Sequence, residues 1–208
     1  MSADFNNLAE SIRAVERAGA DYLHIDVMDG HFAPPITFGP VVYKRVREIT
    51  TLPLDVHLMV FEPERYIKDW VDMGADIISV QVESTVHLDR ALTLVRSFGV
   101  KPSVVVNPAT PIESVFPVLS IVAQVLVMSV NPGFSGQTFI PYTLDKIRAL
   151  RQEIDRRKLS VDIQVDGGVN ERNAKALISA GVDVLVAGSA VFQSKDMAAT
   201  IRALKAPE

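Results

Sequence analysis

The stretch Gly19-Ala20-Asp21-Tyr22-Leu23-His24-Ile25-Asp26-Val27-Met28-Asp29-Gly30 decides how this chain is read. It follows a segment in which Leu8, Ile12 and Val15 share one helical face. A glycine at that junction supplies a left-handed C-cap and turns the chain out of the helix. The run 22–27 then reads as a strand, whose alternation sets His24, Asp26 and Met28 on a common face. Gly74-Ala75-Asp76 and Gly181-Val182-Asp183 repeat the junction, each between a helix and a strand.

Working outward, further short apolar runs stand at 54–59, 77–82, 103–106, 125–130, 161–165 and 184–187. Several are rich in Val and Ile and apolar on both faces, the pattern of strands buried in a parallel sheet. Helical segments are expected near 6–18, 40–48, 62–73, 86–98, 111–119, 141–157, 171–180 and 195–204. Leu144, Ile147, Leu150 and Ile154 mark the apolar face of one of them, and Asn7 with Glu10 reads as a capping box opening the first. Strict alternation without a Pro/Gly/Ser-rich linker predicts a single α/β domain over 1–208.

The tally is uneven: about eight helices against about seven strands, with the chain opening almost on a helix. A doubly wound sheet wants a glycine-rich turn after its first strand, whereas here such loops come late. The expected fold is therefore a (β/α)8 TIM barrel whose first strand is missing or reduced to residues 1–4. An absent strand would uncover several large side chains at ~1.5–3 kcal/mol each, comparable with a domain's whole stability of ~5–15 kcal/mol. Residues upstream of Met1 are accordingly expected to belong to the barrel.

Composition narrows the function. The 208 residues carry 21 Lys+Arg against 25 Asp+Glu, a net charge of −4, with 48% hydrophobic and 22% charged residues. This is a folded chain without the basic blocks that nucleic acid or an anionic membrane would select. With no cysteine, disulfides and thiol chemistry are excluded, which agrees with a reducing cytoplasm. No apolar run approaches the ~18 residues of a membrane span.

In such barrels the active site lies at the C-terminal ends of the strands. Reading those ends collects His24 and Asp26, then His57 with Met59 on a common face, then Asp166 in Val165-Asp166-Gly167-Gly168. A lone strand histidine is more often a hydrogen-bonded core residue, and a lone strand-end aspartate is often the cap of the next helix. Two imidazoles and two carboxylates at one rim are instead a first shell for a divalent cation, Zn²⁺, Fe²⁺ or Mn²⁺. Met28, Met59 and Met128 read either as core filler or as a soft apolar wall above the metal. His31 and His87 read as loop or surface residues.

Glycine supplies the second constellation: Asn131-Pro132-Gly133-Phe134-Ser135-Gly136-Gln137, then Gly167-Gly168, then Gly188-Ser189-Ala190. Backbone N–H groups freed of side chains approach an oxyanion closely, and phosphate sites in these barrels recur at the last two loops. Each loop alone is an ordinary tight turn; beside a metal, together, they point to a phosphorylated substrate. Loop 131–141 is long enough to serve as a lid.

His24-Ile25-Asp26-Val27-Met28-Asp29-Gly30-His31-Phe32, Ile36-Thr37-Phe38-Gly39, His57-Leu58-Met59-Val60, Met128-Ser129-Val130-Asn131-Pro132-Gly133-Phe134, Val165-Asp166-Gly167-Gly168 and Ala187-Gly188-Ser189-Ala190 resemble the ribulose-phosphate 3-epimerase family, in order and over essentially the whole chain. The resemblance implies an isomerase of carbohydrate metabolism, in the pentose phosphate pathway, that interconverts D-ribulose 5-phosphate and D-xylulose 5-phosphate. It implies His24, Asp26, His57 and Asp166 as ligands of one divalent metal ion, with Asp26 and Asp166 as the catalytic acid/base pair. By the same resemblance Ser2, His57, Gly133, Phe134, Ser135, Gly136, Asp166, Gly167, Gly168, Gly188 and Ser189 touch the substrate, and Met28, Met59 and Met128 line the pocket. It also implies a homo-oligomer, dimer or hexamer. The chain departs from the family at Pro35, usually Asn, at Gln81, usually His, and at Ser135, frequently Gly.

Within that class, an epimerase acting on another ketose phosphate is the nearest alternative. A phosphate-binding decarboxylase wants a lysine among the strand-end carboxylates, and His24 to Gly30 holds none. A metal hydrolase would suit the ligands but not the phosphate cradle. A barrel without its first strand, serving only as a binding module, is the reading outside catalysis.

Overall fold

The structure, a computed structural model, describes residues 1–207. One parallel sheet runs in chain order through β1 (Leu23–Met28), β2 (Leu54–Met59), β3 (Ile77–Gln81), β4 (Lys101–Val106), β5 (Gln124–Met128), β6 (Asp162–Asp166) and β7 (Val184–Val186). Between and around these strands come α1 (Leu8–Arg17), α2 (Pro40–Tyr43), α3 (Ile67–Asp72), α4 (Leu88–Ser97), α5 (Thr143–Arg157), α6 (Glu171–Ser179), α7 (Ser189–Phe192) and α8 (Met197–Lys205).

The strand order makes the curl of the sheet measurable. Neighbouring strands lie ~4.8 Å apart, so β2 and β6 would be roughly 19 Å apart in a flat sheet. Yet Gln164 Nε2 on β6 donates to Asp55 Oδ2 on β2 at 2.7 Å. The sheet is rolled into a barrel with its helices outside, as the alternation predicts. Closure stops short. Among the described residues no strand pairs with the outer edge of β1 or of β7, and residues 1–4 form none. β2, β3 and β5 are buried end to end, whereas all three residues of β7 stay partly exposed beside that opening.

The two faces of the sheet differ more than the sequence reading allowed. Outward positions such as Val56, Ile78, Val104, Val127 and Ile163 pack with Trp70, Leu92, Leu150 and Leu177 from the helices to form the main core. Inward positions are largely polar: Asp55, His57, Ser79, Gln81, Ser103, Gln124 and Gln164 are at most 2% exposed. Strands apolar on both faces are thus a correction. The barrel lumen buries polar groups because cross-barrel hydrogen bonds satisfy them, as with Gln124 Nε2 donating to Gln164 Oε1 at 2.7 Å.

Local differences have local causes. Segment 112–118 is a 3-10 helix rather than an α-helix, with Pro117 removing a donor from its interior. The expected helix 40–48 divides into α2 and a 3-10 turn, Val46–Glu48. Asn7 makes no side-chain cap; Asp4 Oδ1 instead accepts the Asn6 N–H at 2.9 Å and caps the turn ahead of α1. The capping box of the chain sits on α6, between Asn170 and Asn173. Gly19, Gly74 and Gly181 do carry the expected positive φ, at 94°, 85° and 107°. No helix among the described residues is long and apolar enough to cross a membrane.

Candidate active site

Alternation along three strands aims His24 and Asp26 of β1, Asp55 and His57 of β2, and Gln164 and Asp166 of β6 into the lumen. One ligand atom from each of His24, Asp26, His57 and Asp166 lies within 4.8 Å of the others. In a flat sheet β1 and β6 would stand roughly 24 Å apart, so the curl of the barrel alone brings these carboxylates together.

The central atoms are short of partners. His24 Nε2 is 3.4 Å and His57 Nδ1 is 3.6 Å from Asp26 Oδ1. All three atoms are buried without a hydrogen bond. Two imidazole nitrogens and a carboxylate oxygen left unsatisfied around one point are what a divalent cation completes, and the donor set fits that group.

Behind the centre, His24 is held from the other side. Its Nδ1 lies 2.8 Å from Oδ2 of Asp55, which is wholly buried. An ionised carboxylate only accepts, so Nδ1 keeps a proton and Nε2 is the ring nitrogen whose lone pair would serve a cation at the centre. The same Asp55 oxygen accepts from Gln164, which accepts in turn from Gln124, so a buried polar chain braces His24.

The two central carboxylates are driven apart electrostatically. Burial pushes Asp26 up, but the close polar contacts of the His24 and His57 rings, and the charge of both, overcome it and hold the carboxyl well below the usual carboxylate range. Burial, then the negative charge of Asp26, push Asp166 up to about 6. Burial lowers His24, while the charge of Asp55, the close approach of Asp26 and the hydrogen bond to Asp55 raise it well above 6.5. A pair of neighbouring carboxyls with separated proton affinities is the usual setting for acid/base work.

A cavity of about 640 Å³ opens over these groups. Its upper wall includes Ser2, Met28, Met59, Met128, Gly133, Phe134, Ser135, Gly136, Gly167, Gly168, Gly188 and Ser189 together with His24, Asp26 and Asp166. Its lower part runs down the opening between β1 and β7, past Ile12, Leu23, Leu185 and Leu204. His57 has no exposed surface and faces the centre through Nδ1. Met28 and Met59 form one cluster with Ala33, and Met128 another with Val105, Leu126 and Val130. His31 and His87 are exposed, as read.

The loops are fixed by packing as well as by any ligand. A Cβ on Gly168, whose φ is +64°, would lie 2.5 Å from Phe139 N, so this glycine seats loop 131–141 on the turn after β6. A Cβ on Gly188 would meet Ser2 Oγ at 2.7 Å, which sets Ser2 against the turn after β7. Ser129 Oγ donates to the carbonyls of Asp166 and Gly167, at 2.9 and 2.7 Å, and pins the β6 end. Thr37 Oγ1 donates to Asp26 O and accepts from Met28 N, doing the same for β1.

Asp55, Gln164, Gln124, Ser129 and Thr37 were missed in the sequence. For Asp55 a signal existed, since it stands two residues before His57 on the same face of one strand. The others show only through contacts between distant segments.

The fold and this strand-end cluster define a class: a parallel α/β-barrel enzyme with a two-histidine, two-aspartate centre able to hold a metal ion. Solved barrels of low identity share the fold, among them a 3-hexulose-6-phosphate synthase (TM-score 0.69, 20% identity, 95% of this chain and 93% of that one). A tryptophan synthase α-subunit from Pyrococcus furiosus is another (TM-score 0.68, 16% identity, 98% and 93%). The chain belongs to the ribulose-phosphate 3-epimerase family, whose sequence profile matches residues 1–192. It is 50% identical to the ribulose-phosphate 3-epimerase of Synechocystis over 213 residues, covering 100% of this chain and 93% of that protein. The enzymes of that name from Bacillus subtilis (50% over 197 residues, 94% and 91%) and Escherichia coli (45% over 197 residues, 94% and 88%) are similar throughout. The activity carried by the family is epimerisation of a ribulose phosphate at C3.

Proposed function

We propose that Asp26 and Asp166 are the acid/base pair of a D-ribulose 5-phosphate to D-xylulose 5-phosphate epimerisation. The observation that carries this is the meeting, within 4.8 Å, of one carboxyl held ionised and one raised to about 6. Inverting C3 removes its proton on one face and returns one on the other, so two groups are needed. The ionised carboxylate takes the proton, leaving an enediolate; the protonated carboxyl gives one back on the opposite face. In the reverse direction the roles exchange.

His24, Asp26, His57 and Asp166 would hold one divalent ion, Zn²⁺, Fe²⁺ or Mn²⁺. When bound, it supplies Lewis-acid stabilisation of developing negative charge worth several kcal/mol. A free aspartate, pKa ~3.9, is otherwise a weak base for a carbon acid. The backbone of Gly133, Phe134, Ser135, Gly136, Gly167, Gly168, Gly188 and Ser189, with the Ser2 hydroxyl, would receive the sugar phosphate. His57 would meet it only at the cation centre. Met28, Met59 and Met128 keep water from the reacting carbon.

The test is deuterium entry at C3 of ribulose 5-phosphate in D₂O. Wash-in is expected from the metal-loaded enzyme, and its loss on chelation and in Asp26→Asn and Asp166→Asn. Wash-in that persists in both variants would remove the assignment. We further propose a cytoplasmic homo-oligomer, dimer or hexamer. Val41 and Ile36, 88% and 81% exposed, are apolar groups that such a contact would cover. A strictly monomeric mass by light scattering would exclude it.

A further inference from the structure

Gln81 lies on the inner face of β3, wholly buried, with its side-chain Nε2 3.0 Å from Nε2 of His57. A carboxamide nitrogen only donates. In that arrangement His57 Nε2 accepts, the ring proton sits on Nδ1, and His57 has no lone pair for a cation. Gln81 Oε1 and His57 Nδ1 are left buried without partners. Turning the amide end for end reverses each of these. Oε1 accepts the Nε2–H of His57, and the Nδ1 lone pair faces Asp26 and the centre. The two ends of a carboxamide are nearly the same shape, so the turn needs no extra space. Ser79 and Ser103, neighbours in register on that inner wall, likewise carry buried hydroxyls without partners.

We propose that Gln81 is a positioning residue for the cation. With its carboxamide turned, it fixes His57 in the tautomer that presents Nδ1 to the metal centre. This rests on the cation site proposed above. The two histidines are then locked in opposite tautomers by unlike partners. A carboxylate, Asp55, holds His24 through Nδ1, and a neutral amide, Gln81, holds His57 through Nε2. Glutamine keeps an acceptor beside His57 where a straight apolar side chain would lose it.

Zinc is the probe. The metal-free protein is loaded with one equivalent, and the affinity is read by competition with a chromophoric chelator. Long-range ¹H–¹⁵N spectra give the imidazole tautomers. In the zinc-loaded wild type, His57 is expected with a protonated Nε2 and a metal-bound Nδ1. Gln81→Glu, an acceptor at both oxygens, should bind zinc at least as tightly as wild type, and Gln81→His, which keeps an acceptor nitrogen, should bind it about as tightly. Gln81→Met, similar in shape but without a strong acceptor, should bind 10–100-fold more weakly. A wild-type spectrum with Nδ1 protonated overturns the inference, as does wild-type affinity in Gln81→Met; the spectrum holds even where a variant fails to fold. Failure of the site itself looks different: no stoichiometric zinc on the wild type, or zinc retained when His24 and Asp26 are both replaced, which also removes the inference.

Discussion

Oδ2 of Asp55 receives His24 Nδ1 at 2.8 Å while the carboxylate itself is wholly shielded from solvent. Because the same oxygen accepts from Gln164 at 2.7 Å, one buried group ties β1, β2 and β6 together beside the cluster of His24, Asp26, His57 and Asp166. Asp55→Asn keeps the size but replaces an acceptor-only group with one that also donates. We expect a 10–100-fold loss of zinc affinity and a destabilisation of about 1–3 kcal/mol, read by chelator competition and urea unfolding. Unchanged zinc affinity would show that the Asp55 contact does not set the His24 tautomer.

Asp166 carries a pH signature in the metal-free protein. Its folded-state pKa, about 6, lies above the 3.8 of an unhindered aspartate, because burial and Asp26 oppose its charge. Between those values the folded protein binds more protons than the unfolded chain, so this group's contribution falls as pH rises from about 4 to about 6. Above pH 6 the charged form carries the full penalty. Asp166→Asn should therefore stabilise the metal-free protein at pH 7 by roughly 1–3 kcal/mol, with little gain near pH 4, in paired denaturation curves.

Chelation should act in the opposite sense. A cation that binds only the folded chain stabilises it by about 2.7 kcal/mol at 100 times its Kd. Adding Zn²⁺ or Mn²⁺ to the metal-free protein should raise Tm in a concentration-dependent way. The rise should disappear in the double variant His24→Ala, His57→Ala. A rise that survives in that variant would place the binding elsewhere.

Gly168 and Gly188 should part company. At Gly168 an added Cβ runs into backbone, Phe139 N at 2.5 Å and Gln137 O at 2.9 Å, with φ at +64°. Gly168→Ala should cost about 1–3 kcal/mol, displace loop 131–141 and raise KM more than tenfold. At Gly188 the obstacle is the Ser2 hydroxyl on a flexible side chain, and φ is −80°. Gly188→Ala should change stability by less than about 0.5 kcal/mol yet raise KM severalfold by moving Ser2. Calorimetry with steady-state kinetics separates the two.

Much of this was legible before any coordinates. Period-2 and period-3.6 patterns place the seven strands within one or two residues of β1 to β7, because each strand's outer face must be apolar to meet the helices. His24, Asp26, His57 and Asp166 were legible because the short stretches that carry them run to the C-terminal ends of their strands, and those ends share a rim in a barrel. The polar lumen was less so. Ser79, Ser103, Gln124 and Gln164 look like interruptions of apolar runs, and only their partners explain them. The caps failed at Asn7 because Asp4, three residues earlier, starts a 3-10 turn that the local pattern does not distinguish.

The amino-acid order by itself determined the alternation of elements, the face that His24 shares with Asp26 and the one that His57 shares with Met59, and the identity of the four central side chains, since these depend on local periodicity. Only the tertiary structure decided that groups on β1 and β6 share one centre, that Asp55 and Gln81 stand behind its two histidines, and that the sheet stays open between β1 and β7. These are relations across the curled sheet between segments far apart in the chain, set by how strands twist and helices pack rather than by any neighbour along the sequence.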